Sequence, residues 1–151
     1  MLNIVLIEPQ IPPNTGTIGR LCAANDWHLH LVEPLGFSLD DKHLKRSGLD
    51  YWPFVKYSLI KNLKTLEAMI VNETYWVFST KGKEPYTSIN YQKNDWLIFG
   101  NEPKGFPDGF LDKHSKALHT IPMKNPNIRS LNLANAVSIV SYEATRQLGF
   151  E

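Results

Sequence analysis

The sequence predicts an α/β fold: a parallel sheet with helices on both faces. Apolar, strand-like runs alternate with segments of helical periodicity, the pattern of β-α units rather than of hairpins. The run Leu97-Ile98-Phe99 is apolar at every position, as a strand covered on both faces must be. No linker, internal repeat or low-complexity tract interrupts the chain, so residues 1–151 read as one domain.

The elements follow in order. Leu2–Ile7 is the first strand, and Thr15–Ala24 carries the first helical periodicity. His28–Val32 is a second strand; Asp40–Arg46 and Lys61–Ile70 read as helices. Tyr75–Phe78, Trp96–Phe99 and Ala117–Ile121 are three further strands, with Trp76 and Trp96 in the core. A long helix, Leu131–Leu148, closes the chain. Its Leu133, Ala136, Val137, Ile139, Val140, Tyr142 and Ala144 make an apolar surface wider than one core stripe, which calls for deep burial or a partner.

Bulk properties narrow the function. The chain is 42% hydrophobic and 21% charged, the composition of a globular protein rather than a disordered or fibrous one. No apolar run is long enough to span a bilayer. Met1 leads straight into a strand, predicting no cleavable leader. Cys22 is the only cysteine, which excludes an internal disulfide and a thiolate metal cluster and points to the cytoplasm. His28 and His30 face one side of a strand but have no third ligand at a suitable spacing, so no metal is expected. A net charge of +1 is low for a dedicated nucleic-acid binder, although Lys42, Lys45 and Arg46 share one helical face and could touch an RNA backbone as readily as solvent.

Three polar loops follow strand ends, and in a parallel sheet all three converge on the carboxyl edge, where ligands bind. They are "PQIPPNTGTIGR" (Pro9 to Arg20), "GNEPKGFP" (Gly100 to Pro107) and "IPMKNPNIRSLN" (Ile121 to Asn132). There is no Walker A sequence and no G-x-G-x-x-G after the first strand, and Gly16-x-x-Gly19 is too sparse to cradle a pyrophosphate. Ser130 lacks a nucleophile elbow and reads as the N-cap of the last helix. In the second loop, Gly100 and Gly105 permit close backbone approach, Pro103 and Pro107 stiffen the path, and the one carboxylate, Glu102, either organises the loop or faces a cation.

Taken together, "NTGTIGR" (Asn14 to Arg20), "GNEPKGFP" and "IPM…RSLNLANAVSIVSYEATRQ" (Ile121 to Gln147) resemble the three motifs of the SPOUT-class RNA ribose 2′-O-methyltransferases. The similarity is greatest to the small TrmL-like members, which methylate the wobble cytidine or modified uridine of tRNA. The opening "LNIVLIEPQIPPNTG" and the segment "EPLGF…DDK…R..GLDY" fit that subgroup too, so the resemblance spans nearly the whole chain. It implies a SPOUT fold with a C-terminal trefoil knot, S-adenosylmethionine as cofactor, tRNA as substrate and a homodimer. Family members often carry serine at the position of Ala134, a departure that would remove one polar contact.

Carried over by motif, the cofactor site implied by this resemblance comprises Phe78, Ser79, Gly100, Glu102, Gly105, Ile121, Met123, Ser130, Leu131 and Asn132. Arg20 is the implied catalytic residue, with Asn14 positioning. Arginine's pKa of about 12.5 or more makes a neutral guanidine base costly, so contact with a phosphate or a developing alkoxide is the sounder role. Pairing of Arg20 with Glu8 or a helix end is the structural alternative. Without an appended RNA-binding domain, grip on tRNA would fall to the dimer surface, including Lys42, Lys45 and Arg46. Trp52 either packs in the core or stacks on an unpaired base. The rival functions are methylation of another RNA, such as ribosomal RNA, and RNA binding without catalysis.

Overall fold

The structure, a computed structural model, describes residues 1–150, with the side chains of all of these except 45 and 47–50. The strands are β1 (Asn3–Ile7), β2 (His28–Val32), β3 (Lys56–Ile60), β4 (Tyr75–Phe78), β5 (Glu84–Pro85), β6 (Trp96–Phe99) and β7 (Leu118–Thr120). The helices are α1 (Pro12–Ala24), α2 (Lys42–Gly48), α3 (Leu63–Ile70), α4 (Phe110–Lys113) and α5 (Leu133–Leu148), with a 3-10 turn at Leu49–Phe54. The strands form one parallel sheet in the order β3-β2-β1-β6-β4-β7-β5.

The sheet is covered on both faces. Side-chain alternation sends Ile4, Leu6, Leu29, Leu31, Leu97 and Phe99 to one side, where they meet Ile18 and Cys22 of α1 and Val137, Val140 and Ala144 of α5. Val5, Ile7, Val32, Val77 and Ile98 point the other way, onto Leu66 and Ile70 of α3 and Phe110 of α4. Each residue of β6 is therefore buried, matching its unbroken apolar sequence. Burial raises the Cys22 thiol to about 12, leaving it an inert core group.

Several expectations need correction. The first helix starts at Pro12 rather than Thr15, because Pro12 and Pro13 occupy its first turn, where the missing N–H has no helical partner to lose. The second begins at Lys42, two residues late. The last begins at Leu133, and its N-cap is Asn132 rather than Ser130: the Asn132 Oδ1 accepts the Asn135 amide at 3.2 Å. β3 was not anticipated. Residues 56–59 of this edge strand are exposed or half-buried and only Ile60 is buried, so no clear periodicity marks it. The two-residue β5 and the four-residue α4 are too short to give a pattern.

Candidate active site

The strand order reverses between β1 and β6, since β2 and β3 lie to one side of β1 while β6 and β4 lie to the other. At such a switch point the loops leaving the two carboxyl ends diverge and open a crevice. Here a cleft of about 540 Å³ lies at the carboxyl edge, of the size usual for a small-molecule cofactor.

Its floor is apolar. Phe78 and Phe99 are register partners on β4 and β6, and their rings stack with centroids 5.1 Å apart. One wall is the loop after β6, closed by two backbone hydrogen bonds: Asn101 N to Gly105 O at 2.8 Å and Gly105 N to Asn101 O at 3.0 Å. The Lys104 amide donates to Asn101 Oδ1 at 2.9 Å, tightening the turn. A Cβ on Gly100 would lie 2.5 Å from the Gly105 carbonyl carbon, so a side chain there would prise the loop open. Gly105 meets the other demand on glycine, with φ at +74° and open space beside it. Ile121 and Met123 after β7, and Ser130 to Leu133 before and into α5, complete the walls.

The three loops are tied together by one chain of hydrogen bonds. Glu102 does not bond within its own loop. It reaches back to the start of α1, accepting the Gln10 amide at 3.0 Å, the Ile11 amide at 2.8 Å and Asn14 Nδ2 at 3.3 Å. Asn14 Oδ1 in turn accepts Asn132 Nδ2 at 3.0 Å, and Asn132 caps α5. Helix α1 has neither a side-chain cap nor an acid in its first turn, so Glu102 supplies from another loop the negative charge that its N-terminus favours.

Phe78, Ser79, Gly100, Glu102, Gly105, Ile121, Met123, Ser130, Leu131 and Asn132 all line this cleft, and Asn14 joins them. Arg20 does not. It lies six residues along α1 from Asn14, exposed, with its guanidinium 4.5 Å from the Tyr51 ring centroid rather than beside Glu8. Lys42 and Arg46 are exposed on α2 and also lie off the cleft; the Lys45 side chain is outside the described residues. Trp52 is half-buried and packs against the core. Ala134 is buried and faces that core, so a serine there would not reach the cleft. Lys81, Phe99, Asn101, Lys104 and Arg129 line the cleft although the sequence did not single them out. Asn101 and Lys104 sit inside the glycine-loop segment and Phe99 ends the strand before it, so their inclusion needed only the strand-to-loop geometry. Among the described residues, no group of three His, Cys, Asp or Glu is placed to hold a metal, and no helix is long and apolar enough to cross a membrane.

A cleft at a topological switch point, with an apolar floor and a rim of backbone groups, is where α/β proteins bind small-molecule ligands. Residues 1–142 match the SpoU rRNA methylase family, and the chain belongs to it. It is 46% identical over 151 residues to the tRNA (cytidine(34)-2'-O)-methyltransferase of Escherichia coli K12, covering 99% of this chain and 96% of that protein. A solved structure concerned with 2-OH methylation of C/U34 on tRNA superposes with a TM-score of 0.92 at 41% identity, covering 98% of this chain and 96% of the other. An AdoMet-bound rRNA methyltransferase from Sinorhizobium meliloti superposes with a TM-score of 0.84 at 25% identity, over 98% of this chain and 57% of that longer one. The fold is thus that of the SPOUT methyltransferases, and the chain is a methyltransferase.

Proposed function

We propose that this protein uses S-adenosylmethionine to methylate the ribose 2′-hydroxyl of the wobble nucleotide of tRNA, a cytidine or modified uridine, and that it works in the cytoplasm as a single-domain, knotted homodimer. The observation that carries this reading is the linked cleft: three separate loops, joined through Glu102, Asn14 and Asn132, enclose one cofactor-sized space. The full-length relative named for cytidine 34 of tRNA supports the substrate.

The residues present fit this cofactor. The stacked Phe78 and Phe99 offer an apolar bed for a purine, and the Gly100–Gly105 loop a backbone rim that any Cβ on Gly100 would distort. Ile121 and Met123 would flank the adenine, while Ser79, Ser130, Leu131 and Asn132 would hold the polar ends. When bound, the cofactor supplies an electrophilic methyl group on a sulfonium centre. The chain's own work is alignment: the Glu102–Asn14–Asn132 chain fixes the loops so that a ribose oxygen and the methyl group are held in line. Asn14, with both ends of its amide engaged, positions the entrance to the cleft. The Arg20 guanidinium contacts a phosphate or stabilises the ribose oxygen as that oxygen's proton passes to solvent.

This arrangement calls for a dimer, because Arg20 lies off its own protomer's cleft. Ile139 and Tyr142 of α5 are exposed beside the buried stripe of Ala134, Val137, Val140 and Ala144, leaving an apolar flank for a second copy. Lys42, Lys45 and Arg46 would then occur twice on a tRNA-facing surface.

The test is methyl transfer from labelled S-adenosylmethionine into unfractionated tRNA lacking ribose methylation, with the product nucleotide mapped by mass spectrometry. A 2′-O-methyl group at the wobble position is expected. Label in ribosomal RNA but not in tRNA would refute the substrate; cofactor binding with no transfer to either would refute the activity.

A further inference from the structure

The segment from Lys42 to Lys61 contains five lysines and arginines and a single acid, Asp50, in a chain whose basic and acidic residues over its whole length nearly balance, 16 against 15. Interleaved with those cations are Tyr51, Trp52, Phe54 and Tyr57. The structure sorts the aromatics into two roles. Trp52 points inward: a Cβ on Gly19 would come 2.7 Å from its ring, and the Val55 amide donates to the Trp52 carbonyl at 3.0 Å. Gly19 thus serves as the slot that seats this indole against α1. The other three rings face outward, with Phe54 73% exposed, Tyr51 42% and Tyr57 40%.

A phenylalanine so exposed, on a turn stiffened by Pro53 and pinned by a half-buried tryptophan, is preorganised for contact. The Arg20 guanidinium lies over the Tyr51 ring, so the patch borders the residue assigned above to the reacting phosphate or ribose. Outward rings, a segment rich in cations and a stacked arginine are the features that bind unpaired nucleotides, since every base has a π-face and every link a negative charge.

We propose that the turn Leu49–Phe54 and the start of β3 form a base-stacking platform for the unpaired nucleotides flanking the methylated one, with Tyr51 holding Arg20 at its inner edge. This rests on the reading of the protein as an RNA methyltransferase. Tyr51 is a positioning residue for Arg20, and Phe54 is the principal stacking ring.

The experiment uses the full chain and an anticodon stem-loop with 2-aminopurine on either side of the target nucleotide. Wild type is expected to quench that fluorescence on binding. Phe54→Ala and Tyr51→Ala, both at exposed positions, are expected to lose quenching and to bind the RNA about 5- to 100-fold more weakly. Their affinity for S-adenosylmethionine should not change, and Tyr51→Phe, which keeps the ring, should restore binding. Wild-type quenching and affinity in both alanine variants would overturn the platform, as would absence of quenching in wild type. Those outcomes are separable from failure of the methyltransferase reading, which is judged by mapping methyl transfer with the wild-type protein alone.

Discussion

Replacing Glu102 by glutamine changes one atom of the site and tests its central joint. In the structure one carboxylate oxygen accepts the Gln10 amide, and the other accepts the Ile11 amide and Asn14 Nδ2. A glutamine has only one acceptor oxygen. If it faces Ile11, its NH₂ group stands opposite the Gln10 N–H, donor against donor. One hydrogen bond to a charged acceptor is lost, worth about 1.5–3 kcal/mol, and those that remain are to a neutral oxygen. The negative charge near the start of α1 disappears as well, worth about 0.3–1 kcal/mol. Because Glu102 is half-buried, solvent recovers part of this, and we expect a net loss of about 2–3 kcal/mol. Denaturant unfolding should show it as a lower midpoint at constant slope, and hydrogen exchange should show the Gln10 and Ile11 amides released. Cofactor affinity should fall with them, since the loop wall and α1 lose their connection. Glu102→Gln with wild-type midpoint, exchange and affinity would refute the reasoning: the carboxylate would then not be the joint.

Three further outcomes follow from the same geometry. Gly100→Ala should lose the two backbone bonds that close the loop, about 1–3 kcal/mol, and weaken S-adenosylmethionine by more than about tenfold in calorimetry; Gly105→Ala, which meets no neighbour, should be the milder of the two. Arg20→Ala should leave cofactor affinity intact while turnover on tRNA falls by about 10²–10³, and equal loss of both would contradict its catalytic assignment. His30 is buried, stacked between His28 and Trp96, and burial with the neighbouring His28 lowers its pKa from 6.5 to about 4. The unfolded chain therefore binds the extra proton first, so the stability this neutral imidazole contributes is complete above pH 6.5 and is lost as pH falls towards 4, by up to about 3 kcal/mol. Unfolding midpoints across that window should drop in wild type and drop less in His30→Phe, which keeps the ring but cannot titrate.

Much of this was legible in the sequence because it depends on short-range pattern. The consecutive apolar residues of β6 required burial on both faces, and the glycine-bracketed loop after it required a tight backbone path. The three polar loops had to meet once the sheet was parallel, and the residues named for the cofactor do surround one cleft. Elements whose stability comes from elsewhere were not legible. The edge strand β3 shows no clean alternation because residues on both of its faces meet solvent, and the two prolines opening α1 read as loop although a first helical turn needs no N–H.

Only the tertiary structure decided what individual polar and aromatic side chains do. Glu102 could as well have organised its own loop; it instead caps a helix about ninety residues earlier in the chain, a choice fixed by β1 and β6 lying side by side. Gly19, too sparsely paired with Gly16 to cradle a pyrophosphate, is the seat of Trp52. Ser130 had the composition of a cap, yet Asn132, two residues on, performs it because the helix begins later. Periodicity and turn chemistry act between near neighbours and are written in the order of residues. The pairing of one donor with one of several acceptors depends on which strands become adjacent, and that is settled only when the chain has folded.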